Sequence, residues 1–190
     1  NKEMYFTEGA AITGIKTVDE SGYDAESGTF KFTIRINSDS DVTNVKVVDT
    51  LTNLILDQTQ SVIVTDSKNE GAVVTIPSGN LTMSDGGFEL TIPSMTANSE
   101  YLVTYYAKLP EGYVSDYNGA VEGLRNSAIL SADGIENDIN LDTDVNYTHI
   151  WVQKTNTGLN TSDGKVEWQL TANPAADQDM RNVVVGDQFD

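Results

Sequence analysis

Short stretches of alternating apolar and polar residues follow one another along most of the chain. The clearest is TFKFTIRIN, where Phe30, Phe32, Ile34 and Ile36 fall on one face and polar residues fall on the other. Because successive side chains of a β-strand point to opposite faces, this segment is predicted to be a half-buried antiparallel strand. Similar segments bounded by turn residues are AITGIKTV, NVKVVDTL, SVIVT, AVVTIP, FELTI, EYLVTYYAKL and LRNSAIL. Many short strands without a convincing helix predict an all-β sandwich or barrel.

One of these predicted strands carries a carboxylate on its apolar face. In NVKVVDTL, residues 44–51, the side chain of Asp49 points the same way as those of Val45, Val47 and Leu51. A carboxylate that is directed into a core is costly unless it is paired or neutral. Asp49 is therefore the most informative residue of the pattern.

The strand that contains Asp49 returns near the end of the chain. The segment NVVVGDQF, residues 182–189, repeats it with Asp187 in the place of Asp49. The same spacing in sequence separates Lys16 from Lys154, each of which follows an apolar strand-like segment. The chain therefore contains two copies of one structural unit.

The repeat predicts the domain organisation. Residues 1–10 show no period and form a lead-in, whereas residues 11–146 hold a complete β-sandwich domain. Residues 147–190 hold the N-terminal part of a second, similar domain, because they contain equivalents of only the first three strands. Either further chain completes this second unit, or a strand from a partner molecule does, since open sheet edges recruit strands.

Composition restricts the partners and the kinds of site. The 190 residues include 29 acidic and 11 basic side chains, a net charge of -18, which disfavours nucleic acid and anionic membranes as partners. The chain has no cysteine, so neither a disulfide nor a thiolate metal site can form. No apolar run reaches the roughly 18 residues of a membrane-spanning helix, so no membrane insertion is expected in this segment.

Three polar residues are predicted to face the interior of the first domain: Lys16, Asp49 and Asn126. Burial disfavours the charged forms of both a lysine and an aspartate, so a proton can pass from one to the other. The lysine then becomes a neutral nucleophile, and the protonated Asp49 can polarise the carboxamide of Asn126. Attack with loss of ammonia would leave a Lys16–Asn126 isopeptide bond, formed once per molecule without turnover.

Each of these residues also has an ordinary interpretation. Lys16 could extend to solvent from a strand end, and Asp49 could bond to a loop. The combination of both with Asn126, and the second copy of the pattern, favours the cross-link.

The order of these motifs resembles that of a known family. The chain has, in order, a strand with a lysine, a strand ending in Asn37, a V-x-V-x-D strand and an N-x-A strand. This order resembles that of the internal-isopeptide immunoglobulin-like domains of Gram-positive surface adhesins and pilins, of the collagen-adhesin A type. The resemblance implies an immunoglobulin-like β-sandwich in an extracellular, cell-wall-anchored stalk or adhesin.

The resemblance also implies roles for residues in both units. Asp49 would be the acid that catalyses the Lys16–Asn126 bond. In the second unit, Asp187 and Lys154 would be the equivalents, with the asparagine partner beyond the chain end. Gln153 replaces the proline of a pilin-type polymerisation motif, which makes polymerisation through Lys154 the less favoured interpretation.

Other candidate sites are weaker. Asp138, Asn140, Asp142 and Asp144 could hold calcium, but their alternate spacing fits an exposed strand face or a solvated linker better. His149 is the only histidine and lies at the predicted domain junction, which argues against a two-histidine metal site or a Ser-His-Asp triad. We therefore expect no metal and no cofactor.

A binding module is the alternative function. Trp151, Trp168 and the tyrosines of YLVTYYAKL could form a stacking platform for a sugar, although core and sheet-face roles are commoner for aromatic residues. In this alternative the protein is secreted, and its loops or interdomain groove bind a carbohydrate or a host matrix protein.

Overall fold

The computed structural model describes residues 12–24, 27–110, 119–149, 152–160, 162, 164–173, 184 and 186. Within these residues the regular structure is entirely β, and they contain no helix that is long and apolar enough to cross a membrane. The strands, in chain order, are β1 (Ile12–Asp24), β2 (Thr29–Ser38), β3 (Val42–Thr52), β4 (Ile55–Leu56), β5 (Ile63–Asp66), β6 (Ala72–Val73), β7 (Leu81–Ser84), β8 (Gly87–Met95), β9 (Ser99–Lys108), β10 (Gly119–Val121), β11 (Arg125–Ser131), β12 (Ile139–Asp144), β13 (Tyr147–His149), β14 (Val152–Asn160) and β15 (Lys165–Ala172).

The strands of residues 12–144 form two main antiparallel sheets. One has the order β1-β2-β9-β5-β6, with β4 beside β9, and the other has the order β12-β11-β3-β8-β7. Side chains from the two sheets meet face to face: the ring of Tyr105 on β9 lies 4.8 Å from that of Phe88 on β8. The predicted all-β sandwich is therefore confirmed.

The alternation in the sequence sets which residues form the core. Along β2, Phe30, Phe32, Ile34 and Ile36 are fully buried, as their period of two predicts. Along β3 the buried residues include Val45, Val47, Asp49 and Leu51, so the carboxylate does lie in the apolar row. The two strands belong to opposite sheets and direct these rows toward each other.

A small additional sheet extends the first sandwich. Strand β13 pairs with β10, and the side chain of Tyr147 on β13 is buried. Its ring lies 4.9 Å from that of Tyr23 and 5.7 Å from that of Phe30. The packing of the first sandwich thus includes Tyr147, one residue beyond the predicted domain limit at residue 146. The division of the chain into two domains stays a prediction. The lead-in, residues 1–10, lies outside the described residues.

The hairpin of β14 and β15 repeats the register of β1 and β2. Lys154 lies opposite Leu170, just as Lys16 lies opposite Ile34. The side chains of β15 are largely exposed, including that of Trp168 at 43%. The sequence repeat is therefore also a repeat of strand pairing, at least through the first two strands of the second unit.

Candidate functional site

Lys16 is held inside the sandwich by the edge strand β1. Its side chain points to the same face as that of Ile12, and the residue is only 6% exposed. Gly14, between them on this face, leaves room for Leu130 and Leu141 of the opposite sheet, because a Cβ there would lie 2.8 Å from the Leu130 Cδ2 atom. The strand can therefore approach the second sheet closely where the lysine enters the core.

Asp49 is positioned by β3 and by the start of β8. The residue is 4% exposed, and the backbone of Gly87 passes directly over its carbonyl group. A Cβ on Gly87 would lie 2.2 Å from the Asp49 carbonyl oxygen, and Gly87 has a φ of 134°, which residues other than glycine rarely adopt. Next to this contact, the Leu51 N–H donates to the Gly86 carbonyl at 2.9 Å. Gly87 thus fixes the backbone that carries the carboxylate.

Asn126 reaches the same place from β11. In the pairing of β11 with β3, Ala128 lies opposite Asp49 and Asn126 lies opposite Leu51. Asn126 and Asp49 are therefore diagonal neighbours on one face of the sheet. The asparagine is completely buried.

The three residues predicted from the sequence meet in the core. The Lys16 Nζ atom donates a hydrogen bond to Asp49 Oδ2 at 2.5 Å and a second one to Asn126 Oδ1. Lys16 comes from one sheet, whereas Asp49 and Asn126 come from the other. Hence the amine lies against both the carboxylate and the carboxamide.

A fourth residue, Tyr105 on β9, completes the site. Its hydroxyl donates to Asp49 Oδ2 at 2.6 Å and accepts a hydrogen bond from Asn126 Nδ2 at 2.9 Å. Its ring is packed between Phe32, at a centroid distance of 5.5 Å, and Phe88. The sequence analysis missed this role, although the alternation of EYLVTYYAKL gave a signal, because a buried tyrosine hydroxyl usually has a hydrogen-bond partner.

The contacts differ in one respect from the predicted mechanism. The hydrogen bonds of the Asp49 carboxylate go to Lys16 and Tyr105, so none joins it directly to the carboxamide of Asn126, and its Oδ1 atom has no hydrogen-bond partner. Diagonal neighbours in a sheet are about 7–8 Å apart at Cα. The Tyr105 hydroxyl fills the gap between the two side chains.

Burial favours the neutral forms of the ionisable side chains at the site. Desolvation lowers the pKa of Lys16, although the charge of Asp49 opposes the change. Desolvation likewise raises the pKa of Asp49, against the opposing effect of Lys16. Burial, with the nearby Asp49, raises the pKa of Tyr105 well above its usual value, which keeps the phenol protonated. These directions favour transfer of a proton from the lysine to the aspartate.

The residues predicted for the second unit are only partly described. Lys154 is exposed, and its Nζ atom lies 4.9 Å from the centre of the Trp168 ring. The tryptophan considered as a sugar platform is thus in contact with a cation. Asp187 and Trp151 lie outside the described residues.

The acidic stretch forms the outer face of β12. Asn140, Asp142 and Asp144 are exposed, and Asp142 forms an ion pair with Arg125 at 3.2 Å. Among the described residues, no group of three or more histidine, cysteine, aspartate or glutamate side chains could hold a metal ion. Asn140, Asp142 and Asp144 therefore line the exposed face of β12, and Asp138 directly precedes the strand.

Replacing Gly87 with alanine is expected to destabilise the sandwich and to displace Asp49. The added methyl group would collide with the Asp49 carbonyl, and overpacking of this kind costs about 1–3 kcal/mol. Urea unfolding should show this loss as a lower midpoint. The control is Gly79→Ala, since Gly79 also has a positive φ, of 91°, but a Cβ added there would have no atom within 4 Å. Equal midpoints for the two variants would contradict the proposed contact.

Comparison with known proteins identifies the fold. Neither a protein-family model nor a curated protein matches the sequence. Among solved structures, the group B streptococcus pilus 2b backbone protein matches with a TM-score of 0.53 and 20% identity, over 80% of this chain and 71% of that one. The pilus backbone RrgB from Streptococcus pneumoniae matches at 0.48 and 14%, over 86% and 76%, and the RrgA Jo.In complex at 0.46 and 11%, over 71% and 76%. On the first of these matches, the chain has a β-sandwich fold similar to that of a streptococcal pilus backbone protein.

Proposed function

We propose that this chain is a stalk or adhesin segment of a Gram-positive cell-surface protein, whose first sandwich is cross-linked by a self-formed Lys16–Asn126 isopeptide bond. The observation that carries the proposal is the buried amine of Lys16, which lies against both the carboxylate of Asp49 and the carboxamide of Asn126. The reaction occurs once in each molecule, so the protein is not a turnover enzyme. The similar fold of a pilus backbone protein supports the extracellular location, and anchoring to the cell wall is part of the proposal.

Stability alone gives a weak reason for such a site. A buried ion pair often contributes no more than apolar residues of the same size, because both charges lose their hydration. Here the ion pair lies beside the completely buried carboxamide of Asn126, whose Oδ1 atom accepts a hydrogen bond from Lys16. A nucleophile, a proton acceptor and an electrophile held together in a core match the needs of amide exchange.

The position of the bond fits a mechanical role. Lys16 is on the edge strand β1 near the beginning of the described chain, and Asn126 is on β11 in the opposite sheet. A covalent link between them joins the two sheets and closes most of the sandwich into one loop. In a protein without cysteine, it would take the part that a disulfide has in other extracellular domains.

The intact mass of the folded chain tests the proposal. We expect the wild-type protein to be lighter than its sequence mass by one ammonia molecule. Lys16→Met should restore the full sequence mass, because it removes the nucleophile. The matched control is Lys46→Met, since the side chain of Lys46 on β3 is 44% exposed and forms its ion pair with Glu89. A wild-type chain at full mass after folding would refute the cross-link.

Binding of a carbohydrate or a host matrix protein is the alternative for the same surface protein. The exposed Trp168 is one aromatic residue that would serve it, but the nearby Lys154 lies over one face of its ring. A glycan array and matrix-protein binding assays on the whole chain would separate this function from a purely mechanical one.

A further inference from the structure

We propose that Tyr105 is a catalytic residue of the cross-linking reaction, which passes a proton from Asp49 to the nitrogen of Asn126 that leaves as ammonia. This inference rests on the proposed function, and it assigns to the tyrosine a step that neither Lys16 nor Asp49 can perform from its position.

The four side chains form a closed ring of hydrogen bonds. Lys16 Nζ contacts Asp49 Oδ2 at 2.5 Å, Asp49 Oδ2 contacts the Tyr105 hydroxyl at 2.6 Å, and that hydroxyl contacts Asn126 Nδ2 at 2.9 Å. The ring closes through the bond from Lys16 Nζ to Asn126 Oδ1. The attacking nitrogen and the leaving nitrogen are therefore connected through one carboxyl oxygen and one phenol oxygen.

Breakdown of an amide requires a proton on the leaving nitrogen. Asp49 cannot supply it directly, because its hydrogen bonds go to Lys16 and Tyr105. Tyr105 touches the leaving nitrogen, and its ring is fixed between Phe32 and Phe88. Because burial raises its pKa, the phenol remains protonated at neutral pH and can give one proton while it accepts another.

The reaction balances through this path. The Lys16 ammonium first gives a proton to the Asp49 carboxylate, and the Nζ lone pair then forms a bond to Asn126 Cγ as the π electrons of the C=O bond move to Oδ1. In this tetrahedral state Nδ2 has a free lone pair and can accept a hydrogen bond from Tyr105. The C=O bond re-forms and the C–N bond to Nδ2 breaks as Nδ2 takes the Tyr105 hydroxyl proton, which the Asp49 proton replaces, so the tyrosine is unchanged. Asp49 then accepts a second proton from Nζ. The products are a neutral amide, ammonia and a protonated Asp49.

The test compares rates of bond formation in three versions of the whole chain. Unreacted protein from a short cell-free synthesis is kept in denaturant, folded by dilution and sampled for intact mass. The variant is Tyr105→Phe, which keeps the ring but removes the hydroxyl. The control is Tyr106→Phe. This substitution also removes a phenol hydroxyl, but Tyr106 lies on the opposite face of β9, away from the site. We expect about 100-fold slower loss of ammonia in Tyr105→Phe and the wild-type rate in Tyr106→Phe.

Folding is checked separately, in a Lys16→Met background where no bond can form. There the Tyr105→Phe chain should keep a cooperative thermal transition, so that its slow reaction reports chemistry. A wild-type chain that loses ammonia at the same rate as Tyr105→Phe would overturn the relay and leave the cross-link intact. A wild-type chain that loses no ammonia would instead refute the proposed function.

A second measurement does not depend on how the variant folds. The rate for the wild-type chain is measured in mixtures of light and heavy water. A relay through Asp49 and Tyr105 moves two protons in one step, so the rate should fall along a curve as the deuterium fraction rises. A straight line would mean that a single proton moves, and it would overturn the relay.

Discussion

Replacing Asp49 with asparagine is expected to slow the loss of ammonia by at least about 100-fold, the usual lower range for a general acid–base residue. The change keeps the size and shape of a side chain that is buried in β3. It removes the group that accepts a proton from Lys16 and passes one to Tyr105. The measurement is intact mass against time after folding, with the wild-type chain as reference.

The expected loss concerns proton transfer and not the charge of the lysine. Burial is the main cause of the lowered pKa of Lys16, and Asp49 acts in the opposite direction. Without the aspartate, the amine would be neutral more often, which by itself would favour attack. A slower reaction in Asp49→Asn would therefore show that the carboxyl group acts as base and acid.

The control for this variant is Asp138→Asn. Asp138 is an exposed carboxylate that precedes β12, so its replacement changes the net charge equally without touching the core. It should react at the wild-type rate. If Asp49→Asn also reacts at that rate while circular dichroism shows a folded sandwich, Asp49 has no catalytic role.

The inward residues of the site were predictable from the sequence because a strand has a period of two. Once Val45 and Val47 are assigned to the core, Asp49 must follow them, and the same reasoning places Asn126 beside Ala128. The repeat then singled out Lys16, because a lysine recurs at the same spacing. These inferences need only the alternation of residues along each strand and the assumption that one face of the strand is buried.

The roles of Tyr105 and Gly87 could not be obtained in this way, although the alternation of EYLVTYYAKL does place Tyr105 on a buried face. Their importance depends on which strands pair and in which register, and the register of β11 on β3 is set by contacts between residues that are distant in sequence. One register makes Asp49 and Asn126 diagonal neighbours and leaves a gap that a hydroxyl from the other sheet can fill. A pattern along one strand contains no information about such a gap.

Replacing Asn126 with alanine is expected to lower the melting temperature of the sandwich by about 10–20 °C. Lys16 and Asn126 are 110 positions apart, so their bond closes a long loop in the unfolded chain. In the chain-entropy model for disulfides, a cross-link over about 100 residues stabilises the folded state by about 4–5 kcal/mol. The measurement is calorimetry on chains whose cross-linking state is known from their mass.

Loss of the covalent bond can be distinguished from loss of local contacts by combining two variants. Lys16→Met removes the same bond from its other end, so the double variant Lys16→Met/Asn126→Ala has no second cross-link to lose. Its melting temperature should therefore lie close to those of the single variants, well above the value expected if the two losses were independent. The control Asn140→Ala, on the exposed face of β12, should have the melting temperature of the wild-type chain. Additive losses in the double variant would mean that the two side chains stabilise the core separately, without a bond between them.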